Sequence, residues 1–253
     1  MKKIFFVTGA TAGFGKSISE KLIAEGHTVI GCGRRAERLE AMRETLGSNF
    51  YPLAFDIQSK EAIAEAINQL PENLKAIDVL VNNAGLAKGL AGAQDADIND
   101  WEQMINTNIS GLVHVTHHIL PGMVERNRGM VINMGSIAGN WPYPGGNVYG
   151  ATKAFVRQFS LNLRADLSGT KVRVSNIEPG LCGDTEFSYV RFTGDESKVK
   201  AVYDNVDFIK PEDIANVVSW IASQPEHVNI NSIEIMPVAQ SFSALRIARK
   251  NQE

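Results

Sequence analysis

The sequence predicts one α/β domain built on a doubly wound parallel sheet with helices on both faces. Three observations point there. Short apolar or β-branched runs alternate with longer stretches of helical periodicity along the whole chain of 253 residues, the rhythm of repeated βαβ units. No repeat, low-complexity tract or Pro/Ser-rich linker interrupts that rhythm, so residues 1–253 form a single domain of ordinary size. The first strand runs through a glycine-rich turn straight into a helix.

The elements follow in order. Ile4–Thr8 is a strand. Residues 16–25 carry Ile18, Leu22 and Ile23 on one face of a helix that Gly26 stops. Thr28–Gly33 is a second strand, and Ala36–Leu46 a charged helix with Leu39, Met42 and Leu46 on one side. Residues 50–55 form a third strand, 60–70 a helix closed before Pro71, and 76–81 a fourth strand. Residues 97–124 read as mostly helical, with a kink expected at Pro121-Gly122. Gly129–Met134 is a fifth strand, 149–167 a long helix and 170–177 a sixth strand. Pro211–Ser223 is a further helix and Ser232–Ile235 a last short strand. Residues 179–207 are the least regular stretch, with helical pattern only in their last part; a segment of that kind in a compact domain reads as a substrate lid.

Composition narrows the function. Twenty-five Lys and Arg against 28 Asp and Glu leave a net charge of −3, which argues against nucleic acid as a partner. Cys32 and Cys182 are the only cysteines, so no disulfide framework is expected and a reducing, cytoplasmic setting is the default. The N-terminal apolar run, Ile4 to Val7, is too short for a signal peptide, and no later run reaches the roughly 20 residues of a membrane span. His114, His117 and His118 have helical spacing but no Cys or carboxylate nearby to complete a metal set. They read as surface or subunit-contact residues, and no metal is expected.

The turn after the first strand is Thr8-Gly9-Ala10-Thr11-Ala12-Gly13-Phe14-Gly15. Gly9 permits the tight turn, Gly13 a close phosphate and Gly15 close packing of helix on strand, while the helix N-terminus offers N–H groups to a pyrophosphate. Thr11 and Phe14 lie in the same turn and count among its cofactor contacts. The end of the second strand chooses the nucleotide. NAD sites carry an acidic residue there for the ribose 2′-hydroxyl. This chain has Gly33-Arg34-Arg35, then Arg38 one turn on. Guanidinium groups hold a 2′-phosphate through charge-assisted hydrogen bonds, and basic charge opposes the dipole at a helix start. The expected cofactor is therefore NADP(H).

Four more segments accompany that loop: Asn82-Asn83-Ala84-Gly85 after the fourth strand, Asn108 within a helix, Ser136 after the fifth strand, and Tyr149-Gly150-Ala151-Thr152-Lys153. In this order and spacing the chain resembles the short-chain dehydrogenase/reductase family over essentially its whole length. The stretch from Gly145 to Ser160, with Glu178-Pro179-Gly180 and Thr185-Glu186-Phe187, is similar to the bacterial NADP-dependent 3-hydroxy acid dehydrogenases, also described as serine or allo-threonine dehydrogenases. The resemblance implies a Rossmann-like sheet with its switch point between the first and fourth strands. It further implies a homotetramer built on the long helices.

Tyr149 and Lys153, four apart, share a helix face. A nearby ammonium would lower the phenol pKa and let Tyr149 take or return a hydroxyl proton. Ser136 would donate to the substrate oxygen as charge develops on it. The resemblance implies that Lys153 also holds the nicotinamide ribose and that Asn108 holds a water linking Lys153 to solvent. It also places Asn83 and Gly85 beside adenosine and ribose, Asp56 and Ile57 at the adenine, and Pro179-Gly180 at the nicotinamide side. Four residues, not the usual three, separate Gly180 from Thr185, so a carboxamide contact by Thr185 departs from the pattern.

The expected reaction is reversible hydride transfer between NADP(H) and small 3-hydroxy acids or the corresponding keto acids, serine-like β-hydroxy amino acids included. A ketoacyl-thioester or general carbonyl reductase is the enzymatic alternative, and an NADP-sensing protein without chemistry the other. A carboxylate substrate needs a cation. The lid offers Arg191 among the bulky Phe187, Tyr189, Val190 and Phe192; otherwise Arg191 pairs with Asp195 or Glu196 in solvent, and the loop 141–147, with Asn147, holds the carboxylate.

Overall fold

The computed structural model describes residues 2–242; Met1 and residues 243–253 of the expected domain lie outside them. Seven parallel strands form one sheet in the order β3-β2-β1-β4-β5-β6-β7. They are β1 (Ile4–Thr8), β2 (Thr28–Gly33), β3 (Phe50–Ala54), β4 (Val79–Asn82), β5 (Gly129–Met134), β6 (Val172–Pro179) and β7 (Ser232–Ile235). The switch point falls between β1 and β4, where Val7 pairs with Val81. The carboxyl ends of the strands diverge there and open a crevice.

Alternation along the strands builds two cores. Phe5 and Val7 face one side, with Ile18 and Leu22 of α1 (Gly13–Ala24), Leu39 of α2 (Ala36–Leu46), and Ile214, Val218 and Ile221 of a C-terminal helix, Pro211–Ser223. Phe6 faces the other, with Ile63 of α3 (Lys60–Asn68), Val115 and Ile119 from Leu112–Glu125, and Leu163 from Asn147–Asp166. Because both faces of the inner strands are covered, β4, β5 and β6 are buried at every residue. This is why β4 and β5 read as nearly continuous apolar runs, whereas β6 buries Arg173, Ser175, Asn176 and Glu178 with hydrogen-bond partners.

The long helical region differs from expectation in one respect. α4 (Ile98–Ile105) passes through a π-helical turn, Asn106–Gly111, into α5 (Leu112–Glu125). Pro121 sits inside α5, so the change of helix geometry falls at the π turn, not at Pro121-Gly122. A side chain at Gly111 would strike Ile57, and π turns commonly mark functional sites. Asn108 lies in the middle of it.

Smaller boundaries also move. α6 (Asn147–Asp166) starts two residues before Tyr149, and β6 starts at Val172 and runs to Pro179. The irregular stretch after it contains two helices, α7 (Phe187–Arg191) and α8 (Glu196–Tyr203), before α9 (Pro211–Ser223). Only the second had a helical pattern in sequence, because α7 is little more than one turn. Among the described residues, no helix is long and apolar enough to cross a membrane, and no three His, Cys, Asp or Glu side chains form a group that could hold a metal.

Candidate active site

A cavity of about 710 Å³ opens over the carboxyl ends of the strands. Its walls include Gly9, Thr11, Gly13 and Phe14 of the first turn, Arg34, Arg35, Asp56 and Ile57 at one end, and Ser136, Tyr149, Lys153 and Arg191 at the other. Asn83, Gly85, Pro179, Gly180 and Thr185 also line it. Gly15 and Arg38 stand outside this wall, Gly15 beneath the turn and Arg38 beyond Arg35.

The turn has the shape an anion needs. Gly9 has φ +68°, and a side chain at Gly15 would collide with the Gly9 carbonyl, so helix and strand meet at a distance only glycine permits. Ala12 caps α1 without a side-chain hydrogen bond, and no acidic residue stands in the first turn. The N–H groups at this helix end are left for a ligand. The Thr8 hydroxyl accepts from the N–H groups of Asn83 (3.0 Å) and Ala84 (2.9 Å), and Asn83 donates to the Thr8 carbonyl at 2.8 Å. Asn83 thereby ties the end of β4 to the turn. Gly85 is placed against Asn108 and Lys153, toward the reacting end.

At the other end of the turn, Arg35 donates from Nε and Nη2 to the Thr11 hydroxyl, at 3.2 and 2.8 Å. Its Nη1 meets Glu186 Oε2 at 2.7 Å, and Arg38 Nη1 meets Glu186 Oε1 at 2.6 Å. Arg34 approaches Asp56 at 4.0 Å. Asp56 accepts from the Gln58 N–H, while Ser59 caps α3, so Asp56 turns the chain without capping that helix. Thr185 accepts from the Phe187 N–H at 3.3 Å and packs over Gly13.

At the reacting end, Tyr149 and Lys153 are both buried. Ser136, extended at φ −174°, accepts from the Ala138 N–H at 3.1 Å and donates to the Pro179 carbonyl at 3.4 Å, with its hydroxyl near the Tyr149 phenol. The expected effect of Lys153 on Tyr149 is not what the geometry provides. Burial pushes the phenol well above its ordinary range, and the nearby Ser136 hydroxyl and the Arg191 charge offset only part of this. Lys153 donates to the Met134 carbonyl at 2.8 Å and lies 5.8 Å from the phenol ring centre. Burial in turn lowers Lys153 to about 8. Desolvation thus moves both groups toward their neutral forms.

Asn108 donates to the Leu86 carbonyl (2.9 Å) and the Thr152 hydroxyl (3.0 Å), and accepts from the Leu86 N–H (2.9 Å). Both of its side-chain N–H groups are committed to protein, so it braces the turn beside Lys153. Arg191 does not pair with Asp195 or Glu196. It donates to the Tyr143 hydroxyl at 2.7 Å and stands over the rings of Tyr143 and Tyr149, at 5.4 and 5.7 Å from their centres. Asp195 instead caps α8 and pairs with Lys198. Asn147 spends its side chain on the Ala91 carbonyl and the Val148 N–H.

A family model described as short chain dehydrogenase matches residues 3–196. The chain belongs to the short chain dehydrogenase family. Among its relatives in that family is a probable NADP-dependent dehydrogenase of Haemophilus influenzae, 62% identical over 96% of this chain and 97% of the relative. An NADP-dependent 3-hydroxy acid dehydrogenase of Salmonella typhi is 58% identical over 97% and 99%. A solved structure described as the closed form of serine dehydrogenase complexed with NADP+ superposes with a TM-score of 0.96 at 56% identity, covering 98% of this chain and all of the other. The family assignment agrees with the order of the motifs from Gly9 to Lys153.

Two residues of this short chain dehydrogenase escape a reading of the sequence. Tyr143 becomes a neighbour of Arg191 only because α7 folds back across the cavity, 48 residues away in sequence. Glu186 meets Arg35 and Arg38 across about 150 residues. No local periodicity reports either pairing.

Proposed function

We propose that this short chain dehydrogenase is an NADP-dependent enzyme that reversibly transfers a hydride between NADP(H) and the hydroxyl or ketone of small 3-hydroxy acids, serine-like β-hydroxy amino acids included. The observation that carries this reading is the single cavity joining a phosphate-ready turn and two arginines to Ser136, Tyr149, Lys153 and Arg191. The names of the relatives support it.

The residues fit a bound NADP. The uncapped start of α1 suits the pyrophosphate, Arg34 and Arg35 suit the 2′-phosphate, and Asp56 and Ile57 border the adenine end. When bound, the nicotinamide supplies or accepts the hydride. Tyr149 then exchanges a proton with the substrate oxygen. The phenol stays protonated at neutral pH, which suits reduction; oxidation needs the phenolate, favoured by the Arg191 charge beside the ring. Ser136 hydrogen-bonds the same oxygen and orients the phenol. Asn108, bonded to Thr152, keeps Lys153 in register beneath the site. Arg191, held over two aromatic rings, presents its guanidinium to the substrate carboxylate.

We extend the reading to a homotetramer in the cytoplasm. Exposed Val124 on α5 and Leu161 on α6 favour contacts between copies through the long helices, which light scattering would measure. The function itself is tested by following absorbance at 340 nm with 3-hydroxy acids, uncharged secondary alcohols and ketoacyl thioesters, each with NADP and NAD. Turnover confined to thioesters, or equal for all alcohols, would refute the substrate class.

A further inference from the structure

The lid carries a group that the reaction does not use. Glu186 stands one residue before α7, and its two carboxylate oxygens are divided between two arginines of the neighbouring unit, Oε2 to Arg35 and Oε1 to Arg38. At the far end of α7, the Arg191 carbonyl accepts from the Gly89 N–H at 2.9 Å, and the Arg191 side chain reaches Tyr143. Between these ends lies Phe187, packed edge-on against the Tyr149 ring with 5.8 Å between centres. α7 is therefore pinned at both ends across the mouth of the cavity. The pin at the substrate end is a backbone hydrogen bond; the pin at the cofactor end is ionic.

We propose that Glu186 is a positioning residue: its ion pairs with Arg35 and Arg38 latch the lid over the site, and Arg38 acts through this latch and not as a 2′-phosphate ligand. Arg38 does not line the large cavity, whereas Glu186 does. Arg38 also borders a second depression with Thr185 and Glu186, beside the phosphate turn. A lone exposed ion pair stabilises little, but here one carboxylate takes two charge-assisted hydrogen bonds, one at each oxygen. Burial alone would raise the Glu186 carboxyl; the hydrogen bonds from Arg38 and Arg35 outweigh it and hold the group below its ordinary range. The aromatic wall against Tyr149 depends on where α7 sits. Loss of the latch should therefore disturb the substrate more than the cofactor.

The inference deepens the proposed function by naming what holds the lid of that same site. It is tested with Glu186→Gln, Arg38→Gln and the double variant. On the ligand-free proteins, trypsin cleavage after Lys198 and Lys200, both exposed in α8, is timed and mapped by mass spectrometry. Glu186→Gln, which loses both pairs, should be cut in the lid about five- to tenfold faster, Arg38→Gln, which keeps the Arg35 pair, by a smaller factor, and the double variant no faster than Glu186→Gln, as for two ends of one interaction. With a 3-hydroxy acid, KM should rise about as much, while NADPH affinity by fluorescence titration stays within about threefold. Unchanged lid cleavage in Glu186→Gln, additive effects in the double variant, or a tenfold loss of NADPH affinity in Arg38→Gln would each overturn the latch. If the wild-type protein neither binds NADPH nor turns over hydroxy acids, the proposed function fails, while the trypsin comparison still decides the latch.

Discussion

Lys153 gives its ammonium to the Met134 carbonyl at 2.8 Å while lying 5.8 Å from the ring centre of Tyr149. The two residues share a helix face, as four-residue spacing requires, yet in the protein alone the lysine is fastened to the end of β5. Among the described residues, a second cation stands over the phenol ring, Arg191 at the end of α7, 5.7 Å from that ring centre. The charge around the Tyr149 phenol is therefore set by α7 as well as by its own helix.

Removing the phenol oxygen tests the proton-transfer role. Tyr149→Phe keeps the buried ring and its packing on Phe187 and removes only the hydroxyl. Turnover should fall by at least about 100-fold, the lower bound for loss of a general acid or base. NADPH affinity and thermal midpoint should be near wild type. Near-normal turnover in stopped-flow or steady-state assays would take Tyr149 out of the mechanism.

Burial of Lys153 has a consequence for stability against pH. Its folded pKa, about 8, is below the ordinary 10.5, so between these values the unfolded chain binds a proton that the folded chain has released. Stability rises with pH in that window. Tyr149 acts in the opposite direction above pH 10, where the folded chain keeps a proton the unfolded chain loses. Burial also raises the Cys32 and Cys182 thiols above their ordinary 9.0, which opposes the lysine within the interval from pH 8 to 10, so the lysine is isolated by comparison with a variant that lacks it. Relative to Lys153→Met, the wild type should gain roughly 2–3 kcal/mol across that interval, at about 1.4 kcal/mol per pKa unit. Urea unfolding at several pH values measures this; parallel curves would show that Lys153 is not desolvated.

Much of this site is written in short-range sequence. The turn from Gly9 to Gly15, the arginines at the end of β2 and the Tyr149–Lys153 offset each depend on residues within one element or one turn, where period and stereochemistry are legible. The π turn around Asn108 is not, because it arises where Gly111 lets the helix approach Ile57, a contact between distant segments. The environment of the phenol is not legible in the sequence for a related reason. Spacing tells which residues share a face, but not how much water reaches them or where a lysine spends its hydrogen bonds. The helix α7 and its two pins are set by the cavity they cover, and a five-residue helix carries too little periodicity to announce itself.

The cofactor choice rests on Arg34 and Arg35, which line the cavity at the adenine end. Replacing both with Leu should weaken NADPH by roughly 1.5–3 kcal/mol or more, the scale of losing a hydrogen bond to a charged group. NADH, which lacks the 2′-phosphate, should change little. Calorimetry with both nucleotides separates the outcomes: equal losses would mean that the arginines hold the fold or the lid and do not read the phosphate.

Arg191 is the test of substrate class. Its guanidinium faces the cavity between Tyr143 and Tyr149, where scarce water strengthens a bidentate hold on a carboxylate. Arg191→Leu removes that hold, and it also removes the hydrogen bond to Tyr143 and a charge beside the phenol. The two effects divide by substrate. Loss of the carboxylate anchor should lower kcat/KM for a 3-hydroxy acid by about 10- to 100-fold and leave an uncharged secondary alcohol nearly unchanged. Loss of the electrostatic help to Tyr149 would lower oxidation of both substrates equally, with the pH profile shifted toward higher pH. The backbone pin from Gly89 to the Arg191 carbonyl survives the substitution, so α7 should keep its place and the contrast should reflect the guanidinium itself. A parallel fall for both substrates without a shifted pH profile would move the carboxylate away from Arg191 and leave that residue as part of the lid's closure.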